Sequence, residues 1–141
     1  MVILTPFSHG ITKRIANEDL SSFDYIFCWL GNTDLLVSII KLIEDKMNLE
    51  HDVSEVGVQI ILLVEDGIRF YSSILPNLYK FVLKQSQEFS TEALNAHQRT
   101  LRMRGRPKIV LARTYNEAIG IYEKYKNNIP VSYTHLTLPT N

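Results

Sequence analysis

The sequence predicts an α/β protein built on a doubly wound parallel sheet, and three observations carry that expectation. Gln59-Ile60-Ile61-Leu62-Leu63-Val64-Glu65-Asp66 runs five consecutive apolar residues into two adjacent carboxylates. An apolar run without polar alternation reads as a strand buried on both faces, usually in a parallel sheet. Further strand-like runs are separated by stretches of helical spacing, and such alternation is the signature of βαβ units. The 141 residues, 45% hydrophobic and 21% charged, suffice for one ordinary soluble domain with its core.

Taken in chain order, Val2-Ile3-Leu4 reads as a short buried strand closed by Thr5-Pro6. It starts almost at the first residue, so the reading expects sequence missing upstream. Ile11 to Leu20 reads as a short helix. Phe23 to Leu30 is aromatic and apolar and reads as a strand. Gly31-Asn32-Thr33 turns the chain, and Asn32 or Thr33 can cap the helix that follows, with Asp34 in its first turn. Leu36, Ile39, Ile40, Ile43 and Met47 define the apolar face expected of that helix, Asp34 to Met47.

The polar stretch Asn48 to Glu55 reads as a linker, and the buried strand follows it. Gly67 to Gln87 places Phe70, Ile74, Leu78, Phe81 and Val82 on one helical face, with Pro76 expected to kink the helix or restart it. Glu88 to Arg104 reads as another helix, capped by Ser90 or Thr91 and ended by Gly105-Arg106-Pro107. Lys108 to Ala112 is a strand. Thr114-Tyr115-Asn116-Glu117 is a capping box, in which the Thr side chain and the Glu each satisfy a free amide. The helix it opens should run to about Lys126, with Ala118, Ile121, Tyr122 and Tyr125 inward.

Composition excludes several classes. Lys plus Arg and Asp plus Glu each number 15, so charge points neither to nucleic acid nor to a membrane surface. No run reaches the roughly 18 apolar residues of a membrane span, and the N-terminus lacks the basic region of a signal peptide. The single cysteine, Cys28, rules out an intrachain disulfide and fits a reducing cytoplasm. It reads as a buried strand residue rather than a nucleophile. His9, His51, His97 and His135 have no paired spacing, so no zinc site is expected. No Gly-rich phosphate loop occurs. No complete set of nucleophile, base and electrophile can be assembled, so the chain does not read as an enzyme.

Two features carry chemistry. In open α/β sheets ligands gather at the carboxyl ends of strands. Glu65 and Asp66 at such an end suit Mg²⁺, which takes one or two carboxylates and keeps its waters. The other reading is a solvated strand-end pair. Arg99, Arg102, Arg104, Arg106 and Lys108 form a basic cluster, a candidate contact surface for nucleotide, nucleic acid or another domain. The bland reading is stronger: cations near a helix C-terminus complement its dipole and stay solvated.

The ordered motifs resemble a known family. Ile61-Leu62-Leu63-Val64-Glu65-Asp66 resembles the first strand and acidic pair of response-regulator receiver domains. Ile109 to Ala112 with Asn116-Glu117-Ala118 resembles their second strand and second helix. Val2-Ile3-Leu4-Thr5, Asp24 to Leu30 and Asp34 to Met47 resemble the fourth strand, fifth strand and fifth helix of a preceding receiver. A more extensive likeness spans residues 2–129. Trp29-Leu30-Gly31-Asn32, Ile43-Glu44-Asp45-Lys46, Val64-Glu65-Asp66, Phe70-Tyr71-Ser72-Ser73 and Arg102 to Lys108 are together similar to the tandem receiver-like region of bacterial phosphoenolpyruvate (PEP) synthase or pyruvate phosphate dikinase-like proteins.

The resemblance implies a flavodoxin-like fold present as two partial units. Residues 1–50 would be the C-terminal half of one receiver, 51–58 a linker and 59–130 the N-terminal half of the next. It implies phosphorelay-type signal input to the parent, with Mg²⁺ on Glu65 and Asp66, Thr5 as the switch hydroxyl, and a histidine kinase or other phosphodonor as partner. A PEP/pyruvate-binding domain would follow in the parent. Departures from the pattern weigh against activity. The usual Lys-Pro is replaced by Trp29-Leu30-Gly31-Asn32, and the match stops at Asn128-Ile129, before the acceptor aspartate. The alternative is a pseudo-receiver that docks without phosphorylation, and for Thr5 a plain turn residue. The stretch from about Lys84 to Arg106 exceeds the receiver pattern, which makes it the expected family-specific contact surface.

Val131 to Asn141 (VSYTHLTLPTN) resembles translated sequencing-adapter read-through and is set aside from the fold. Its alternative is a genuine β-rich tail. Half sheets would expose unpaired apolar edges unless the two halves combine.

Overall fold

Ile60–Glu65 becomes the central strand of the larger of two parallel sheets. The structure, a computed structural model, describes residues 2–6, 25–90 and 105–135. In chain order the elements are β1 (Val2–Pro6), β2 (Tyr25–Trp29), α1 (Asp34–His51), a π-helical turn (Asp52–Val56) and β3 (Ile60–Glu65). Then follow α2 (Ile68–Ser90), β4 (Lys108–Ala112), α3 (Tyr115–Tyr125), a 3-10 turn (Lys126–Asn128) and β5 (Val131–His135). β1 and β2 pair in parallel with Val2 opposite Tyr25. The second sheet has the order β4-β3-β5, with Ile60 opposite Lys108 and Ile61 opposite Val131, both in parallel. The protein is α/β, with parallel pairing in both sheets. The helix expected over 11–20 lies outside the described residues, as does that expected over 88–104 beyond Ser90; residues 88–90 do not start a new helix but continue α2.

Local signals explain the element ends. The Asn32 Oδ1 accepts the Asp34 N–H at 2.9 Å, so Asn32 rather than Thr33 satisfies the start of α1. The Thr114 hydroxyl accepts the Glu117 N–H at 3.2 Å, and the Glu117 carboxylate accepts the Arg113 N–H at 3.2 Å, which completes the expected capping box. Gly57 ends the π-helical turn at φ +71°, in the left-handed region that L side chains resist.

Several expectations are corrected. The linker does not exist as a loose segment: α1 runs on to His51 and a π-helical turn continues it. Leu49 explains this, because it packs with Ile60 and Val110 and holds the helix end against the sheet. The buried face of α1 is Leu35, Ser38, Ile39, Leu42, Asp45 and Leu49, whereas Ile40 is 64% and Met47 80% exposed, and Leu36 is also exposed. In α2, Tyr71, Leu75, Tyr79 and Val82 are buried, while Phe70 and Phe81 face outward. Tyr122 of α3 is likewise exposed. α2 passes through Pro76 without a break. The proline lacks an N–H, so only one helical bond is removed. β1 is an edge strand with Leu4 exposed, not a buried one, and it extends through Thr5 and Pro6. Proline is tolerated at such an edge.

Val131–His135, set aside on sequence, forms β5 on the second edge of β3. A free edge presents N–H and C=O groups to any β-prone segment within reach. Val131, Tyr133 and Thr134 have that propensity, and backbone groups alone suffice for the pairing.

The halves share one apolar cluster. Tyr25, Phe27 and Leu42 pack with Leu63, Tyr71 and Leu111. Phe27 and Tyr71 meet edge to face, with ring centroids 5.6 Å apart at 88°. The Tyr71 hydroxyl donates to the Ile26 carbonyl, and the Cys28 N–H donates to the Ser72 Oγ at 2.9 Å. Alternate residues of a strand aim their backbone groups at opposite edges. Phe27 presents its carbonyl to Thr5 of β1, so Ile26 and Cys28 face the other edge, where α2 covers them. The halves are therefore joined through helix packing, not through one composite sheet among the described residues.

Candidate functional site

The C-terminal end of β3 is where the topology would collect a ligand. The chain places β4 on one side of β3 and β5 on the other. A reversal of this kind opens a crevice at the strand ends. Glu65 ends β3 in register with His135, and Arg113 follows Ala112, the partner of Val64.

Glu65 does not project into that crevice as an open ligand. It is 1% exposed, and its Oε1 accepts the Gly67 N–H at 3.0 Å. Gly67 is matched to this turn. A Cβ there would lie 3.2 Å from the Glu65 Oε1 and 2.8 Å from the Phe70 ring. Asp66 is half-buried. Among the described residues no three His, Cys, Asp or Glu side chains converge as a metal set. At residues 65 and 66, one Glu65 oxygen is therefore tied to a backbone amide while Asp66 stays partly exposed at the strand end.

Thr5 is buried in β1, and its hydroxyl donates to the Phe27 carbonyl at 3.4 Å. It is neither in a turn nor turned toward an open crevice. Cys28 is a free, buried thiol on β2. Burial pushes its pKa up, with a smaller opposing effect from Arg69. A thiol held protonated is a poor nucleophile.

The basic cluster is divided by the structure. Arg99, Arg102 and Arg104 lie outside the described residues. Arg106 and Lys108 are 3% and 4% exposed, so neither offers a contact surface. Both are drawn inward by Asp45, a fully buried residue of α1 that sequence reasoning passed over. The Arg106 guanidinium holds Asp45 with both nitrogens, at 2.6 and 3.1 Å. The Tyr79 hydroxyl donates to it at 2.9 Å and the Ile109 N–H at 3.1 Å. The Lys108 ammonium lies 3.9 Å from Asp45 and 3.2 Å from Asp52. Burial, and then Asp45 itself, push the Tyr79 pKa above its ordinary value.

Two anions here meet two cations, and no buried side-chain polar atom among the described residues lacks a partner. A closed, neutral network leaves nothing to engage a substrate, and its chemistry is structural. A signal for it exists in the sequence. Ser38, Asp45 and Asp52 repeat every seven residues beside Leu35, Leu42 and Leu49, which places all six along one side of a helix.

A cleft lies elsewhere, between α1 and α2. It has a volume of about 350 Å³ and is lined by Asp34, Val37, Ser38, Pro76, Tyr79, Lys80, Leu83 and Lys84. No helix among the described residues is long and apolar enough to cross a membrane. Comparison with family models, with curated proteins and with solved structures gives no match to the chain.

Proposed function

We propose that this chain is a receiver-like regulatory module of a larger, cytoplasmic PEP synthase or pyruvate phosphate dikinase-like protein, and that it acts by docking rather than by phosphoryl transfer. Support for a receiver-like unit comes from the motif order and from the parallel pairing of β3 with β4. The observation that carries the docking reading is Glu65, buried and bonded to the Gly67 N–H where an active receiver needs an available metal ligand. The module itself is non-catalytic, and its partner is the PEP/pyruvate-binding domain expected downstream.

The phosphorelay reading keeps one supporting observation, the partial exposure of Asp66 at the strand end. In that reading Mg²⁺ binds at Glu65 and Asp66, and a histidine kinase or small phosphodonor supplies the phosphoryl group. The test is to add millimolar Mg²⁺ to the chain and record its melting temperature, because the match ends before the acceptor aspartate. The docking reading expects no stabilisation. A rise in melting temperature abolished by Asp66→Asn would overturn it.

A further inference from the structure

We propose that the cleft between α1 and α2 binds a small amphipathic carboxylate. Its apolar body would lie against Val37, Pro76, Tyr79 and Leu83, and its head on Lys80 and Lys84. Tyr79 lies buried beneath the cleft, and its hydroxyl is engaged by Asp45 at 2.9 Å, so it offers the ligand no free polar group. Ser38 also lines it, and its hydroxyl donates to the Asp34 carbonyl at 2.9 Å. The polar atoms nearest the floor are thus satisfied internally. What remains accessible is apolar surface from Val37, which is exposed, and Leu83, which is partly exposed, over a floor of buried Pro76 and Tyr79.

The rim supplies orientation. Lys80 and Lys84 stand one turn apart on α2, hence on the same face. Neither ammonium has a hydrogen-bond or ion-pair partner among the described residues. The carboxylate of Asp34 lies on the α1 side. Two cations against one anion favour a negative head, and the asymmetry directs that head to the α2 wall. A volume of about 350 Å³ falls at the small end of ligand clefts, where an apolar lining with a few polar groups is usual. An acyl chain of medium length meets those requirements. The proposal is independent of the docking reading, since the cleft shares no residue with the end of β3.

Decanoate is the probe, titrated into the full chain and followed by amide and Tyr79 ring shifts in NMR spectra. Decanol and decyltrimethylammonium serve as neutral and cationic counterparts. Saturable decanoate binding is expected, centred on α1 and α2. In the Lys80→Ala/Lys84→Ala double variant it should weaken about tenfold, the equivalent of two modest charge contacts. Both lysines are exposed, so this variant should keep the wild-type circular dichroism. Val37→Trp should fill the cleft and remove binding. The proposal fails if decanoate shows no saturation at millimolar concentration. It also fails if the double variant binds unchanged, or if decanol or the cation binds as tightly as decanoate.

Discussion

Asp45 and Arg106 stand 61 residues apart in sequence, yet they form a two-point ion pair at 2.6 and 3.1 Å in the interior. The pair ties α1 to the entry of β4. Burying two charges is expensive, and their attraction offsets the expense only when geometry is good and remaining lone pairs are filled. Tyr79 and the Ile109 N–H fill them here. Asp45→Ala removes the anion and leaves Arg106 buried without its partner. The expected loss is about 3–5 kcal/mol, read from the urea midpoint. Adding Arg106→Met should restore part of it, because no stranded guanidinium remains. A single-variant loss below about 1 kcal/mol would show that the pair is exposed in solution.

Alkaline pH should unfold the protein through its buried phenols. Burial holds Tyr71 and Tyr79 protonated well above their ordinary pKa of 10.0, and Asp45 adds to the effect at Tyr79. Above that value the unfolded chain releases protons that the folded chain keeps. Stability is therefore fully present below about pH 10 and falls as pH rises beyond it. Tyr79→Phe should flatten this decline while lowering neutral stability through the lost bond to Asp45. Denaturation curves at stepped pH would check both effects, and an unchanged alkaline slope in the variant would refute the assignment.

How much of this was legible in the sequence depends on where polar atoms end up. β3 and the α3 capping box were readable because each depends on local chemistry: an unbroken apolar run, and a Thr three residues before a Glu. The helix faces were not. Around Leu35-Leu36-Val37 and Ile39-Ile40 the aliphatic residues spread over about half of the circumference of α1. Periodicity therefore admits more than one stripe, and the face chosen holds Ser38 and Asp45. The same bias misplaced Arg106 and Lys108, since charged residues are almost never fully buried unless paired. Their partners come from α1, far away in sequence. The end of β3 was read correctly as two carboxylates, but the engagement of Glu65 by Gly67 depends on a backbone turn that residue types alone do not specify.

Ser72→Ala should loosen the outer edge of β2. The substitution removes the acceptor of the Cys28 N–H and leaves that buried amide unmatched. A cost of about 1–3 kcal/mol is expected for a buried donor without a partner. Hydrogen exchange at Cys28 should quicken by more than global destabilisation explains. Exchange that only follows the global change would remove Ser72 from this role.

Gly57→Ala should destabilise through backbone conformation alone. The residue sits at φ +71°, and nothing lies within 4 Å of the Cβ position. Strain without a clash is the expected cause, about 1–2 kcal/mol. Gly57→Asn should lose less, because asparagine tolerates this region. Equal losses for the two would point to a steric cause instead.

The Asp45 network also bears on dissection of the chain. Gly57 lies between the two apparent halves and looks like the natural place to cut. Severing the chain there would separate Asp45 and Asp52 from Arg106 and Lys108, leaving each piece with two like charges facing a newly bared apolar surface. The halves are thus obligate companions: expressed apart they should be insoluble, and mixed from denaturant they should find each other again.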